Sequence, residues 1–153
     1  LADSCSQTPP DGVIGQTEGT LFVEYLDINV NGTSYLQSLD NGTSSERIEL
    51  FVYNGNISIS IRDNNVQQVN FISNISASGN NKIAFAYKLN DFALYINGNQ
   101  IALDNNGTIP SINKYNAYGR YDAATGNMSN ILKSSSLYNT RLSNSELAAL
   151  TQV

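Results

Sequence analysis

The sequence predicts an all-β fold, an antiparallel two-sheet jelly-roll sandwich with one short C-terminal helix, and three observations carry that expectation. Residues 82–101, KIAFAYKLNDFALYINGNQI, alternate with the period of two that a pleated strand imposes. Ile83, Phe85 and Tyr87 alternate with Ala84, Ala86 and Lys88, and Phe92, Leu94 and Ile96 with Ala93, Tyr95 and Asn97. Second, Asn-Gly and Asn-Asn pairs punctuate the chain between short apolar runs that start roughly every ten residues, the spacing of a sandwich or jelly roll. Third, the chain closes on Ser143 and Glu146 at capping-box spacing, with Leu142 and Leu147 placed as a hydrophobic staple.

The elements follow in order. Residues 1–12, with Pro9-Pro10, read as an extended leader or assembly arm, and residues 13–153 as one jelly-roll domain. Strand character begins at Val13-Ile14 and becomes clear from Thr20 to Asn29, where Leu21, Val23 and Tyr25 oppose Phe22, Glu24 and Leu26. Both faces of that run are largely apolar, so it is expected as a central strand covered by the second sheet on one side and by a chain segment or neighbouring subunit on the other.

Strands are expected at Tyr35–Leu39, Arg47–Tyr53, Asn56–Arg62 and Val66–Ile72, with turns at Asn31-Gly32, Asn41-Gly42, Asn54-Gly55 and Asn64-Asn65. Leu89-Asn90-Asp91 separates the first two strands of the 82–101 meander, and Asn97-Gly98 suits a type I′ turn. A turn-rich segment follows, then a last strand near Met128–Tyr138 and a helix from Asn144 to Leu150.

Composition excludes several functions. Charged residues make up 14% of the chain, against roughly 25% in an average globular protein, and the net charge is −5 with Lys and Arg scattered singly. Nucleic acid, which needs a basic patch, is not an expected partner, and neither is a membrane surface. No apolar run is long enough to span a bilayer, and no signal peptide is visible. The missing initiator Met suggests a processed or truncated product.

The chain has no His and a single cysteine, Cys5, which removes the usual zinc sites, Ser-His-Asp and Cys-His catalysis, and any internal disulfide. Cys5 reads as an incidental thiol or as an intermolecular bridge. Glu24 and Asp27, and Glu46 and Glu49, lie three apart, so neither pair can share a strand face as a retaining glycosidase dyad would. No catalytic residue is therefore expected. Oxygen ligands for calcium are present at Asp104-Asn105-Asn106 and Asp122, but tight turns select the same residues and neither loop has an EF-hand pattern, so no cofactor or metal site is assigned.

Tyr115, Tyr118 and Tyr121 recur at spacing three, interleaved with Lys114, Asn116, Arg120 and Asp122. Exposed tyrosines beside amides and charges stack on sugar rings and bond their hydroxyls, which makes Tyr115, Tyr118, Arg120, Tyr121 and Asp122 the candidate glycan-binding residues. The alternative is that these tyrosines rim the core or fill a subunit contact.

Three segments together, GQTEGTLFVEY at 15–25, NKIAFAYKLNDFALYINGNQI at 81–101 and SLYNTRLSNSELAALT at 136–151, resemble the concanavalin A-like, laminin-G-like jelly-roll domain of phage tail-fibre and other virion surface proteins. The resemblance implies a non-enzymatic virion structural protein: a fibre, spike or head-fibre domain on the surface of an extracellular particle. Such a domain is often trimeric, joined to other virion proteins, and active in host attachment through a host-surface glycan. The rival expectation is a carbohydrate-binding module of a secreted bacterial protein; a glucanase is more distant.

Overall fold

The computed structural model describes residues 5–27, 32–122 and 130–153. Eleven strands and one helix are seen there: β1 (Cys5–Gln7), β2 (Glu18–Asp27), β3 (Thr33–Asp40), β4 (Arg47–Tyr53), β5 (Asn56–Asp63), β6 (Val66–Ser76), β7 (Gly79–Lys88), β8 (Asp91–Ile96), β9 (Asn99–Asp104), β10 (Lys114–Ala117), β11 (Asn130–Tyr138) and α1 (Asn144–Leu150). They form two antiparallel sheets, one of six strands in the order β1-β10-β3-β4-β5-β6 and one of five in the order β11-β2-β7-β8-β9. The all-β, two-sheet sandwich with a short C-terminal helix is the architecture the alternation predicts. The expected strand ends at Asn29 and Met128, and the turn residue Asn31, lie outside the described residues.

Period-two patterning builds the core. From the six-stranded sheet, Leu39, Ile48, Leu50, Val52, Ile57, Ile59 and Ile61 point inward, and from the five-stranded sheet Leu21, Val23, Tyr25, Ile83, Phe85, Tyr87, Phe92, Leu94 and Ile96, all essentially inaccessible to solvent. Phe71 meets Phe85 edge to face across the layer, with ring centroids 6.2 Å apart. The turns carry positive φ where asparagine was expected to supply it: Asn54 at 46°, Asn64 at 49°, Asn65 at 63° and Asn97 at 51°. Asn97 is fixed further, because its side chain accepts from the Lys82 amide and donates to Asn81.

The outer face of β2 is covered by the chain itself. Phe22, Ala84, Ala86, Ala93 and Tyr95 form a second apolar cluster with Leu147 of α1, and the three alanines leave room for the helix to approach. The capping box is present: the Ser143 Oγ accepts from the Glu146 amide, and the Glu146 carboxylate accepts from the Ser143 amide. Those hydrogen bonds, the side-chain bond to Ser143 first, hold the Glu146 carboxyl below its ordinary value. At the other end the Thr151 hydroxyl donates to the Leu147 carbonyl and accepts from the Gly98 amide, tying the helix to the β8–β9 turn.

Three expectations need correction. Cys5–Gln7, inside the expected leader, is extended but adds to the sheet edge as β1, paired with β10. Val13-Ile14 is not a strand; the Val13 amide bonds the Pro10 carbonyl in a turn, and Ile14 plugs the core at 6% exposure. Finally, the turn-rich segment contains a strand, β10, whose partners β1 and β3 are remote in sequence.

Ser143→Ala should cost about 1 kcal/mol by removing the cap, and Leu147→Ala about 3 kcal/mol by opening a cavity under the helix. Urea denaturation of both variants checks the order; equal losses would mean that α1 is not seated by Leu147.

Candidate functional site

The site is positioned by an irregularity in β3. Pairing with β4 shifts between Tyr35 and Gln37, so Leu36 is an extra residue, a β-bulge. Leu36 and Gln37 consequently both turn inward, Leu36 into the apolar core and Gln37 to donate to the Phe22 carbonyl and to Ser135 on the opposite sheet. Tyr35 is left on the outer face. The unpaired carbonyl of Leu36 accepts from the Tyr118 amide at 3.1 Å, and Tyr118, at φ 54°, turns the chain out of β10 and back over that face.

The returning segment places Arg120 against Tyr35 and Tyr121. Its guanidinium carbon is 4.8 Å from the Tyr35 ring centroid and 5.0 Å from that of Tyr121, within cation–π range. Nη1 donates to the Tyr35 hydroxyl at 2.7 Å, while Nε and Nη2 donate to the two carboxylate oxygens of Asp122 at 2.9 and 2.8 Å, a bidentate pair. Burial pulls the Arg120 guanidinium down, but the bonds to Asp122 outweigh it and the group is held above its ordinary value. Burial also pushes the Tyr35 phenol up, against the pull of Arg120.

A second ion pair lies alongside on β4. Arg47 stacks 5.6 Å from the Tyr121 centroid, and its Nε sits 2.9 Å from Glu49 Oε2. The Arg47 N–H is not aimed along that contact, so the two meet as charges rather than through a directed hydrogen bond. Glu49 is 3% exposed, its Oε1 has no hydrogen-bond partner, and burial raises its pKa despite Arg47. Phe51 follows on the same face, its ring 5.8 Å from that of Tyr35, and the register continues across Ser58 to Ile72. Ser58 is 1% exposed and its hydroxyl is also unpartnered, whereas Ile72 is 61% exposed. The outer face therefore combines a row Tyr35–Phe51–Ser58–Ile72 with two arginine–carboxylate pairs.

The five candidate residues are divided by this geometry. Arg120, Tyr121 and Asp122 come together on the outer face. Tyr115 turns between the sheets, its hydroxyl bonded to Ser135 and to the Gln37 amide, and Tyr118 packs against the core. Both take the alternative role of rimming the core. Tyr35, Arg47, Glu49, Phe51 and Ser58 were missed. Arg47, Glu49 and Phe51 alternate with Ile48, Leu50 and Val52, and the non-aliphatic half of that alternation was the available signal.

The other candidates are occupied by local structure. Asp104 Oδ1 accepts from the Asn106 amide in an Asx turn, and Asp122 holds Arg120. Among the described residues no three His, Cys, Asp or Glu side chains converge as metal ligands would. Glu46 accepts from the Asn64 and Ser111 amides, apart from Glu49 and its ion pair with Arg47. Among the described residues no helix is long and apolar enough to cross a membrane.

No family model and no curated protein sequence matches the chain. Solved structures do. The CBM40 domain of a Ruminococcus gnavus IT-sialidase, bound to α2,3 sialyllactose, superposes with a TM-score of 0.69 at 20% identity over 90% of this chain and 84% of its own. These likenesses show the fold. The NanB sialidase of Streptococcus pneumoniae matches at TM-score 0.68 and 19% identity, over 91% of this chain and 24% of the enzyme. The binding domain of botulinum neurotoxin serotype D matches at TM-score 0.74 and 11% identity, over 97% of this chain and 40% of that one.

Glu49 gives a pH test. A carboxyl that holds its proton more tightly folded than unfolded makes its ionisation costly to folding; that cost is fully present above the folded pKa and vanishes as pH falls toward and below the ordinary 4.5. Relative to Glu49→Gln, the native chain should therefore gain stability between pH 7 and pH 4, read from urea midpoints. The opposite trend would mean that the Arg47 pair outweighs burial.

Proposed function

We propose that the chain is a non-catalytic carbohydrate-binding module whose sugar-facing surface is the outer face of the six-stranded sheet. The observation that carries this reading is Arg120, oriented by Asp122 and stacked on Tyr35 and Tyr121. Aromatic rings beside fixed donors and acceptors suit a sugar, whose ring has apolar C–H faces and a belt of hydroxyls. The likeness to a CBM40 domain holding sialyllactose supports the same reading, as does the likeness to a toxin's binding domain.

The finer placement on a phage particle, as a trimeric fibre, spike or head-fibre domain joined to other virion proteins, is proposed on the three sequence segments alone; the structural neighbours support the secreted-module alternative better. Native mass measurement separates them: a trimer favours the particle, a monomer the module.

Binding of the chain to a glycan array tests the function. Arg120→Ala and Tyr121→Ala should each weaken retention about tenfold, the loss of roughly 1–2 kcal/mol of stacking and charge-assisted bonding, while circular dichroism stays unchanged. Undiminished binding in both variants would move the site elsewhere.

A further inference from the structure

We infer that a second binding site lies in the open mouth between the two sheets, on the side bounded by β1, β10 and β11, and that it takes a small uncharged ligand presenting a carbonyl oxygen on an apolar body. It is on the inner side of the six-stranded sheet, opposite the Arg120 face, and does not depend on the carbohydrate-binding reading.

Strand register builds the cavity. Tyr115 pairs with Leu39, Ser135 with Val23 and Leu137 with Leu21, and all three partners are buried in the core layer, so Tyr115, Ser135 and Leu137 face into the gap between the sheets. With Pro9 and Val13, from the segment that follows β1, they line a space of about 200 Å³. A cavity of roughly 150 Å³ is enough for a benzene ring, so a small ring or short acyl chain fits. Pro9, Val13, Leu137 and the Tyr115 ring make its walls apolar, and among the described residues no charged side chain lines it. An ion entering there would give up its water without meeting a counter-charge.

A count of hydrogens says what the ligand must offer. Behind the cavity, Gln37 Nε2 donates to the Phe22 carbonyl at 2.9 Å, to the Tyr115 hydroxyl at 3.2 Å and to the Ser135 hydroxyl at 2.6 Å. Turning the amide over would set its oxygen against the Phe22 carbonyl, so both hydroxyls accept from Gln37 and neither donates to that nitrogen. The two hydroxyls also bond each other. They carry one hydrogen apiece, and their mutual bond uses one. The other is unspent: Gln37 Oε1 has no hydrogen-bond partner, and among the described residues neither hydroxyl has a further acceptor. That hydrogen is left to the cavity which both side chains line. A carbonyl oxygen accepts it and brings no hydrogen of its own to be buried unpaired between apolar walls.

Amide NMR spectra of the chain, titrated with matched pairs, test this. Acetophenone is compared with α-methylstyrene, which has its shape without the oxygen, and methyl N-acetyl-β-D-glucosaminide with methyl β-D-glucoside. The carbonyl member of a bound pair should shift the Tyr115 and Ser135 resonances and bind about fivefold more tightly than its partner, one hydrogen bond's worth. Shifts with the amino sugar alone make its acetamido group the source of the carbonyl; shifts with acetophenone, a free acyl compound, and either result supports the site. Val13→Trp, a substitution at a rim position that is 43% exposed, should block the cavity and abolish the shifts while leaving the remaining spectrum and any glycan-array binding unchanged. Tyr115→Phe with Ser135→Ala should bring the two members of each pair level. Absence of shifts at Tyr115 and Ser135 with both carbonyl compounds, equal binding of the members lacking the oxygen, or shifts that survive Val13→Trp overturns the inference, and none of these touches the carbohydrate-binding reading of the outer face.

Discussion

A side chain on a strand has two directions to point, and this molecule commits one of them, on both sheets, to a single dry layer. Burial of apolar surface is the dominant favourable term in folding and has no directional preference, so the layer by itself says little about what the outward directions carry. They are used differently on the two sheets. On the five-stranded sheet three outward alanines lie between Phe22 and Tyr95, and a capped helix seals them. On the six-stranded sheet they are aromatic, hydroxylic and charged, and the segment that crosses them brings an arginine and its carboxylate.

That asymmetry turns on one extra residue. Were β3 to run through Leu36 without the bulge, strict alternation from the outward Tyr35 would send Gln37 outward, and no carbonyl would be left free there to capture the Tyr118 amide. The bulge thus does two things at once: it keeps Tyr35 on the outer face and sets where the chain leaving β10 must turn. A bulge beside a binding surface is a familiar way to re-aim a strand, and here its consequence can be followed bond by bond from Leu36 to Tyr118 and then Arg120. Glu49 is the complementary case, a carboxyl retained in a place that penalises its charge.

Much of this was legible before any coordinates. Ile57, Ile59 and Ile61 announce their face by alternation, Asn97-Gly98 announces its turn by the positive φ both residues tolerate, and Ser143 with Glu146 announces the helix by local hydrogen bonding. These signals are short-range. β1 and β10 are three and four residues long, too short for alternation to announce them, and they exist because of partners more than seventy residues away in sequence. The bulge at Leu36 was invisible because Leu-Gln reads as ordinary alternation unless the partner strand is known. The site was half legible for the same reason: Arg120, Tyr121 and Asp122 are neighbours in the chain, whereas Tyr35, Arg47, Glu49 and Ser58 reach them only through strand order.

The polar contact from Gln37 to Phe22, Tyr115 and Ser135 bears on mechanics as well as recognition. Two greasy surfaces laid face to face can slide at little expense, but a buried amide whose nitrogen donates across them keeps those bonds at one offset alone. Exchanging aliphatic residues in the layer would alter its thickness and leave the sheets aligned; losing the amide would leave them equally oily and free to shear.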